Sequence, residues 1–185
     1  MTYQIRDILY FEEKEYRLNC YILEPYFFSN PKLRPYGNGG TALRRGYIGT
    51  FTIIDEKLTV INLEILSSEF GDLDIKSVFK KTFNGNKICD WYSGLIRIDE
   101  NKGRFNEEKE EYIFEYLEFY KGTFIGKRIM DYYELQNFKS NQYKKFKETV
   151  EFRELYNRIS KSKIGEYETN KIIIENILEF IPEVY

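Results

Sequence analysis

Residues 41–65 read TALRRGYIGTFTIIDEKLTVINLEI, and this stretch decides the fold. It is rich in Ile and Thr, which suit a half-buried pleated surface. Residues 46–54 and 57–65 are expected to be two strands. The two-residue period puts Tyr47, Gly49, Phe51 and Ile53 on one face of the first. In the second, Thr59, Ile61, Leu63 and Ile65 form the more apolar face. Leu58, Val60, Asn62 and Glu64 form the mixed one. Asp55-Glu56 is too short for a crossover, so the pair must be antiparallel. It lacks the glycine usual in such a turn.

Working outward, residues 3–11 and 15–21 predict an N-terminal hairpin around Glu12-Glu13-Lys14. Residues 24–35 hold three prolines and leave room for one helical turn, near 26–29. Residues 36–40, YGNGG, read as a loop, and 74–81 as a short helix. Residues 87–98 predict a strand with Gly94 at a bulge, and 111–120 with 123–130 a hairpin around Lys121-Gly122. After Asp131 the period becomes helical, through Leu135, Phe138, Phe146, Val150 and Leu155, with a break near Ser140-Asn141. Gly165 ends that element, and a helix over 166–181 is stopped by Pro182. Strands first and helices last argue an α+β protein, a mainly antiparallel sheet of hairpins followed by C-terminal helices. Residues 1–130 are expected to form a β-rich core, and 131–185 a helical segment packed on the same domain.

The composition excludes several chemistries. The chain has 185 residues and no histidine, so no Ser-His-Asp, Cys-His or His-ligated zinc site can be built from it. Two cysteines, Cys20 and Cys89, are too few for a four-thiolate zinc site and read as small core residues. No metal or cofactor is expected. There is one alanine, so large side chains must fill the core. No apolar run reaches the length of a membrane span, and residues 1–16 carry charges where a signal peptide is apolar. A cytoplasmic protein is expected. The net charge of −2 argues against a nucleic-acid surface. The charge is nevertheless blocked by sign. Residues 106–118 are acidic, through Glu107, Glu108, Glu110 and Glu111 among others, and 139–163 mainly basic. Such blocks serve as solvated faces or as a charged partner surface.

Few motifs remain. Gly37-Asn38-Gly39-Gly40 is glycine-rich, but no buried strand precedes it and no Lys-Ser/Thr follows, as a phosphate loop requires. Arg44-Arg45-Gly46-Tyr47 is a candidate anion clamp, because a guanidinium grips a carboxylate or phosphate with two parallel bonds. The plainer reading pairs one Arg with a carboxylate such as Glu64 across the hairpin. Asp90-Trp91-Tyr92 sets a carboxylate beside two aromatics, an environment that raises a pKa in some acid catalysts. The plainer reading puts Trp91 in the core, mostly buried. The stripe Tyr112, Phe114, Tyr116 fits core packing better than base stacking, since its neighbours are glutamates.

The segments LEPYFFSNPKLRP, TALRRGYIGTFTI with KLTVINLEI, and ICDWYSGLIRI together resemble a family of small uncharacterised bacterial proteins. Its members share A-L-x-R-G-Y and D-W-x-S-G strand motifs, and the match covers roughly residues 20–130. The resemblance implies a fold unit and a bacterial context, with no assigned activity. By analogy, such small acidic domains include toxin-neutralising immunity proteins. Two readings follow. The first is a non-catalytic binding protein whose partner is another protein, such as a toxin. The second is a hydrolase or transferase acting on a phosphorylated or otherwise anionic substrate. The candidate binding residues are Arg44, Arg45, Tyr47, Asp90, Tyr92, Glu107, Glu108, Glu110 and Glu111. A convergence of Arg45, Asp90 and Tyr92 in one cleft would favour the second reading.

Overall fold

The computed structural model describes residues 5–35, 43–65, 79, 82–83, 88–99, 104–107, 111–161 and 165–180. The loop at 36–40, most of the helix expected at 74–81, and Glu108 and Glu110 lie outside these residues. The fold is α+β: a mostly antiparallel sheet followed by C-terminal helices. The chain forms two compact units, 1–92 with 119–126, and 93–118 with 127–185.

In the first unit, β1 (Ile8–Phe11) and β2 (Lys14–Arg17) make an antiparallel hairpin. The helix α1 (Glu24–Ser29) and a 3-10 turn at Pro31–Leu33 follow. Pro25 sits in the first turn of α1, where a missing N–H costs nothing. The strands β3 (Tyr47–Ile54) and β4 (Lys57–Ile65) pair directly and antiparallel, as their two-residue connection demands. One pairing departs from the hairpin pattern. β1 runs parallel to β3, through Ile8↔Thr50, Leu9↔Phe51 and Tyr10↔Thr52.

The β3–β4 register contains a bulge that corrects the expected faces of β4. Thr50 pairs with Asn62 and Phe51 with Val60, so Ile61 is the extra residue. The alternation changes phase there. Leu58 and Val60 are fully buried on one side of the bulge and Leu63 on the other, while Ile61 is exposed. Counting by twos through Ile61 therefore put it on the wrong face. On β3 the expected face holds: Tyr47 and Phe51 are fully buried beside Leu23 and Phe27. Gly49 lies between them because a Cβ would come within 2.9 Å of the Phe51 ring and 3.1 Å of Leu23.

The strand expected over 87–98 is interrupted. Cys89 N–H donates to Leu58 O at 2.8 Å, and Tyr92 N–H turns back to Cys89 O at 3.0 Å. Strand structure resumes only at β5 (Gly94–Arg97). Gly122 seats the next hairpin turn on this bend. Its N–H donates to Tyr92 O at 2.7 Å, and a Cβ would lie 2.6 Å from Cys89 O. Trp91 is only partly buried, against expectation. Its indole N–H donates to Ile22 O at 2.9 Å, which holds the ring at the rim of the core against Tyr26.

The second unit contains β5, β6 (Arg104–Asn106) and most of the hairpin β7 (Glu111–Tyr120) and β8 (Thr123–Asp131), in the order β8-β7-β5, with β6 also on β7. Leu95, Phe114, Tyr116 and Met130 pack there with Leu135 of the helix α2 (Tyr132–Phe146). Asp131 starts α2 with a capping box: Glu134 N–H donates to its carboxylate, and Asp131 N–H donates to that of Glu134. The helical break falls at 147–149, not at Ser140-Asn141. Thr149 Oγ1 accepts from Phe152 N–H and caps α3 (Val150–Ser160), so a hydroxyl cap sets the boundary in a run free of Gly and Pro. The helix expected over 166–181 is also divided, into α4 (Glu166–Glu175) and α5 (Ile177–Phe180). The Asn176 side chain and N–H both donate to Ile172 O and close the first piece. Phe146, Phe152, Leu155, Ile173 and Ile177 form the helical core.

The bulge makes a clear prediction. Ile61→Ala should cost less than ~1 kcal/mol in urea denaturation, and Leu63→Ala ~2–5 kcal/mol. Equal losses would mean that β4 keeps an unbroken alternation.

Candidate functional site

The residues with the most unusual environment surround Arg45, at the entrance to β3. Its side chain is 8% exposed. One guanidinium nitrogen donates to Asp7 Oδ2 at 2.8 Å, and another to Ile5 O at 2.9 Å. The Asp7 side chain is fully buried, and its second oxygen accepts from Gly49 N–H at 2.7 Å. The guanidinium lies over Tyr21, 4.5 Å from the ring centre, and 5.2 Å from that of Tyr47. Tyr47 OH donates to Glu24 Oε1 at 2.6 Å, and Arg34 grips the same carboxylate with two bonds of 3.0 and 3.1 Å. One chain of contacts thus joins β1, α1, the turn after it and β3.

Burial dominates the electrostatics. Desolvation raises the Asp7 carboxyl above its ordinary value, and the pull of Arg45 and of Gly49 N–H only partly offsets it. Desolvation also raises the Tyr47 phenol, and Glu24 adds to the rise. Arg45 keeps one buried nitrogen, Nε, without a hydrogen-bond partner. The pair is a structural clamp, because both faces of the Arg45 fork are occupied by protein groups.

Of the nine expected binding residues, the structure brings Arg45 and Tyr47 together. Arg45 pairs with Asp7, not with Glu64, because parallel β1 carries Asp7 to the start of β3. Arg44, one residue away, is exposed. Asp90 is exposed on the Cys89–Tyr92 bend, and Tyr92 OH donates to Cys20 Sγ at 3.8 Å. Desolvation pushes the Tyr92 phenol well above its usual value. Cys20 and Cys89 do not form a disulfide. Glu107 is an exposed turn residue, and Glu111 pairs through its backbone with Asn106. Sequence reasoning missed Asp7 and Glu24. Asp7 had a signal: a lone carboxylate directly before the apolar run ILYF.

A second feature lies at the turn end of the same unit. Parallel pairing of β1 and β3 puts the turns Glu12-Glu13 and Asp55-Glu56 at one end of the sheet. Phe124 N–H donates to Glu56 O at 2.7 Å, which adds the Lys121-Gly122 turn beside them. Between them is an open depression of about 350 Å³, walled by Tyr10, Phe11, Ile53 and Phe124 and rimmed by Glu12, Glu13 and Glu56. All four acidic turn residues have left-handed backbone, with φ of 50°, 63°, 48° and 59°. Turns of this type ordinarily use Asn-Gly, because a side chain in this region costs about 1–2 kcal/mol per residue. Among the described residues, no group of three or more Cys, Asp or Glu is arranged to hold a metal. No helix among them is long and apolar enough to cross a membrane.

No protein-family model matches the chain, and no curated protein or solved structure does either.

Removing one partner of a buried ion pair strands the other charge. Arg45→Ala should therefore cost ~3–5 kcal/mol at neutral pH, measured by denaturant unfolding. Asp7 also predicts a pH effect. Its folded pKa lies above the unfolded 3.8, so its contribution is fully present below that value and is lost as pH rises through the folded one. The stability of the wild type relative to Asp7→Asn should fall as pH increases from about 3.8. A relative stability that rises with pH would mean the carboxyl is depressed instead.

Proposed function

We propose that this chain is a non-catalytic binding protein of the immunity type, whose acid-rimmed turn end receives a cationic surface of a partner protein such as a toxin. One observation carries the reading. Four carboxylates occupy the turn tips in a backbone conformation that Asn or Gly adopts at lower cost, and three of them, Glu12, Glu13 and Glu56, rim an aromatic depression. Strain retained at exposed charged tips is better accounted for by recognition than by folding. Negative charge above aromatic walls suits Lys or Arg side chains, through Coulomb attraction and cation–π contact. The bacterial context comes from the sequence resemblance. The hydrolase or transferase reading placed Arg45 in a cleft, and that guanidinium is committed to Asp7 and Ile5.

The test uses an oligolysine peptide as probe, followed by calorimetry at low and high salt. Binding should weaken about tenfold or more as salt rises. The variant Asp55→Asn with Glu56→Gly should bind more weakly yet melt higher, because it removes charge and relieves about 1–2 kcal/mol of strain per residue. Unchanged affinity in that variant would reject the turn end as the site. Hydrolysis of a phosphorylated substrate by the purified protein, lost on substitution of Asp90, would reject the binding-only reading.

A further inference from the structure

Three arginines of this chain share one arrangement, in which the guanidinium lies over an aromatic ring while it donates to a carboxylate. Arg45 does so with Tyr21 and Asp7. Arg97 is 5.1 Å from the centre of the Phe114 ring and donates to Asp99. Arg128 is 4.9 Å from that of Phe138 and donates to Glu118. None of these three side chains is more than 36% exposed. The physical reason is common to them. A guanidinium is planar and weakly hydrated, so it can rest on an apolar face while its edge forks onto carboxylate oxygens. An ammonium is a compact, strongly hydrated point charge and loses more on leaving water. Lys121 lies over the Tyr120 ring at 5.3 Å, but both residues are exposed.

The same two ingredients meet at the turn end of the first unit. Tyr10 and Phe124 wall the depression with aromatic faces, Ile53 adds an aliphatic one, and Glu13 and Glu56 stand at the rim. Phe124 is held from behind by Phe119, with ring centres 5.6 Å apart. The neutral polar groups of the lining are already spent. Thr52 Oγ1 donates to Tyr10 O at 3.1 Å, and Tyr10 OH donates to Glu15 at 3.3 Å. Neither Glu13 nor Glu56 forms an ion pair with another of the described residues. An entering cation therefore meets ring faces and carboxylates, the surroundings that hold Arg45, Arg97 and Arg128.

We infer that the turn end selects arginine over lysine: a guanidinium of the partner protein seats on the Tyr10 and Phe124 faces and forks onto Glu13 or Glu56. This inference rests on the binding role proposed above for the turn end and names the side chain it receives. Hexa-arginine and hexalysine carry equal charge, so a difference between them isolates the guanidinium. Calorimetry of the full chain at one low salt concentration should find hexa-arginine bound about tenfold more tightly, a difference of about 1.4 kcal/mol. Phe124→Leu removes a ring and leaves the acidic rim. It should bring the two affinities to within about twofold of each other. A circular dichroism melt shows whether that variant folds. If it does not, Tyr10→Leu, at an exposed position, is read in the same way. Equal binding of both peptides by the wild type would overturn the inference and leave a cation-binding turn end in place. An arginine preference that survives loss of the ring would also overturn it. Binding of neither peptide would remove the turn-end reading itself, and this inference with it.

Discussion

The Arg45–Asp7 ion pair is the constraint on which the first unit depends. A fully buried carboxylate is tolerable only with its charge opposed and its lone pairs satisfied. Asp7 meets both needs by taking Arg45 on one oxygen and Gly49 N–H on the other. Those two bonds tie the chain just before β1 to the entrance and body of β3. They favour the parallel β1–β3 pairing, which in turn sends both hairpin turns to the same end of the sheet. The acidic rim follows from that placement. Salt bridges of this kind add little net stability compared with apolar residues of equal volume. What this one supplies is register: a β1 shifted by one residue would turn Asp7 to the other face and away from Arg45 and Gly49 N–H.

How much was legible depended on the range of each interaction. The β3–β4 hairpin was readable because its alternation and its two-residue turn are local. The β7–β8 hairpin, the change to a helical period after Asp131 and the α+β order were readable for the same reason. The bulge at Ile61 was not, since one inserted residue in β4 is defined only by its partners on β3. The helix break was misplaced because Thr149 acts through a hydroxyl cap, a subtler signal than Gly or Pro. That Arg45 would pair with a carboxylate was legible, but which carboxylate was not, for a longer-range reason. Asp7 lies far from Arg45 in sequence, and only the parallel strand pairing brings them together. The signal for it was a carboxylate beside an apolar run, which a period-based reading treats as noise.

The two charged features of the first unit spend their charges differently. Around Arg45, opposite charges neutralise one another inside the protein, and Tyr47 and Arg34 share Glu24 between them. At the turn end, Glu12, Glu13, Asp55 and Glu56 have strained backbone and like charge. The first arrangement is closed on itself, and the second leaves its charges exposed at the turn tips. Arg45, the candidate anion clamp of the sequence, spends both terminal nitrogens on Asp7 and Ile5 O within the protein.

A double-mutant cycle tests most directly whether the Arg45–Asp7 pair organises this unit. Stabilities would be measured by urea unfolding for the wild type, Asp7→Leu, Arg45→Met and the double variant. If the pair is a clamp, each single change strands a buried charge and the double change does not. The coupling should then reach about 2–3 kcal/mol, with the double variant more stable than the sum of the single losses predicts. Losses that add to within about 0.5 kcal/mol would contradict the account and make Asp7 and Arg45 independent residues.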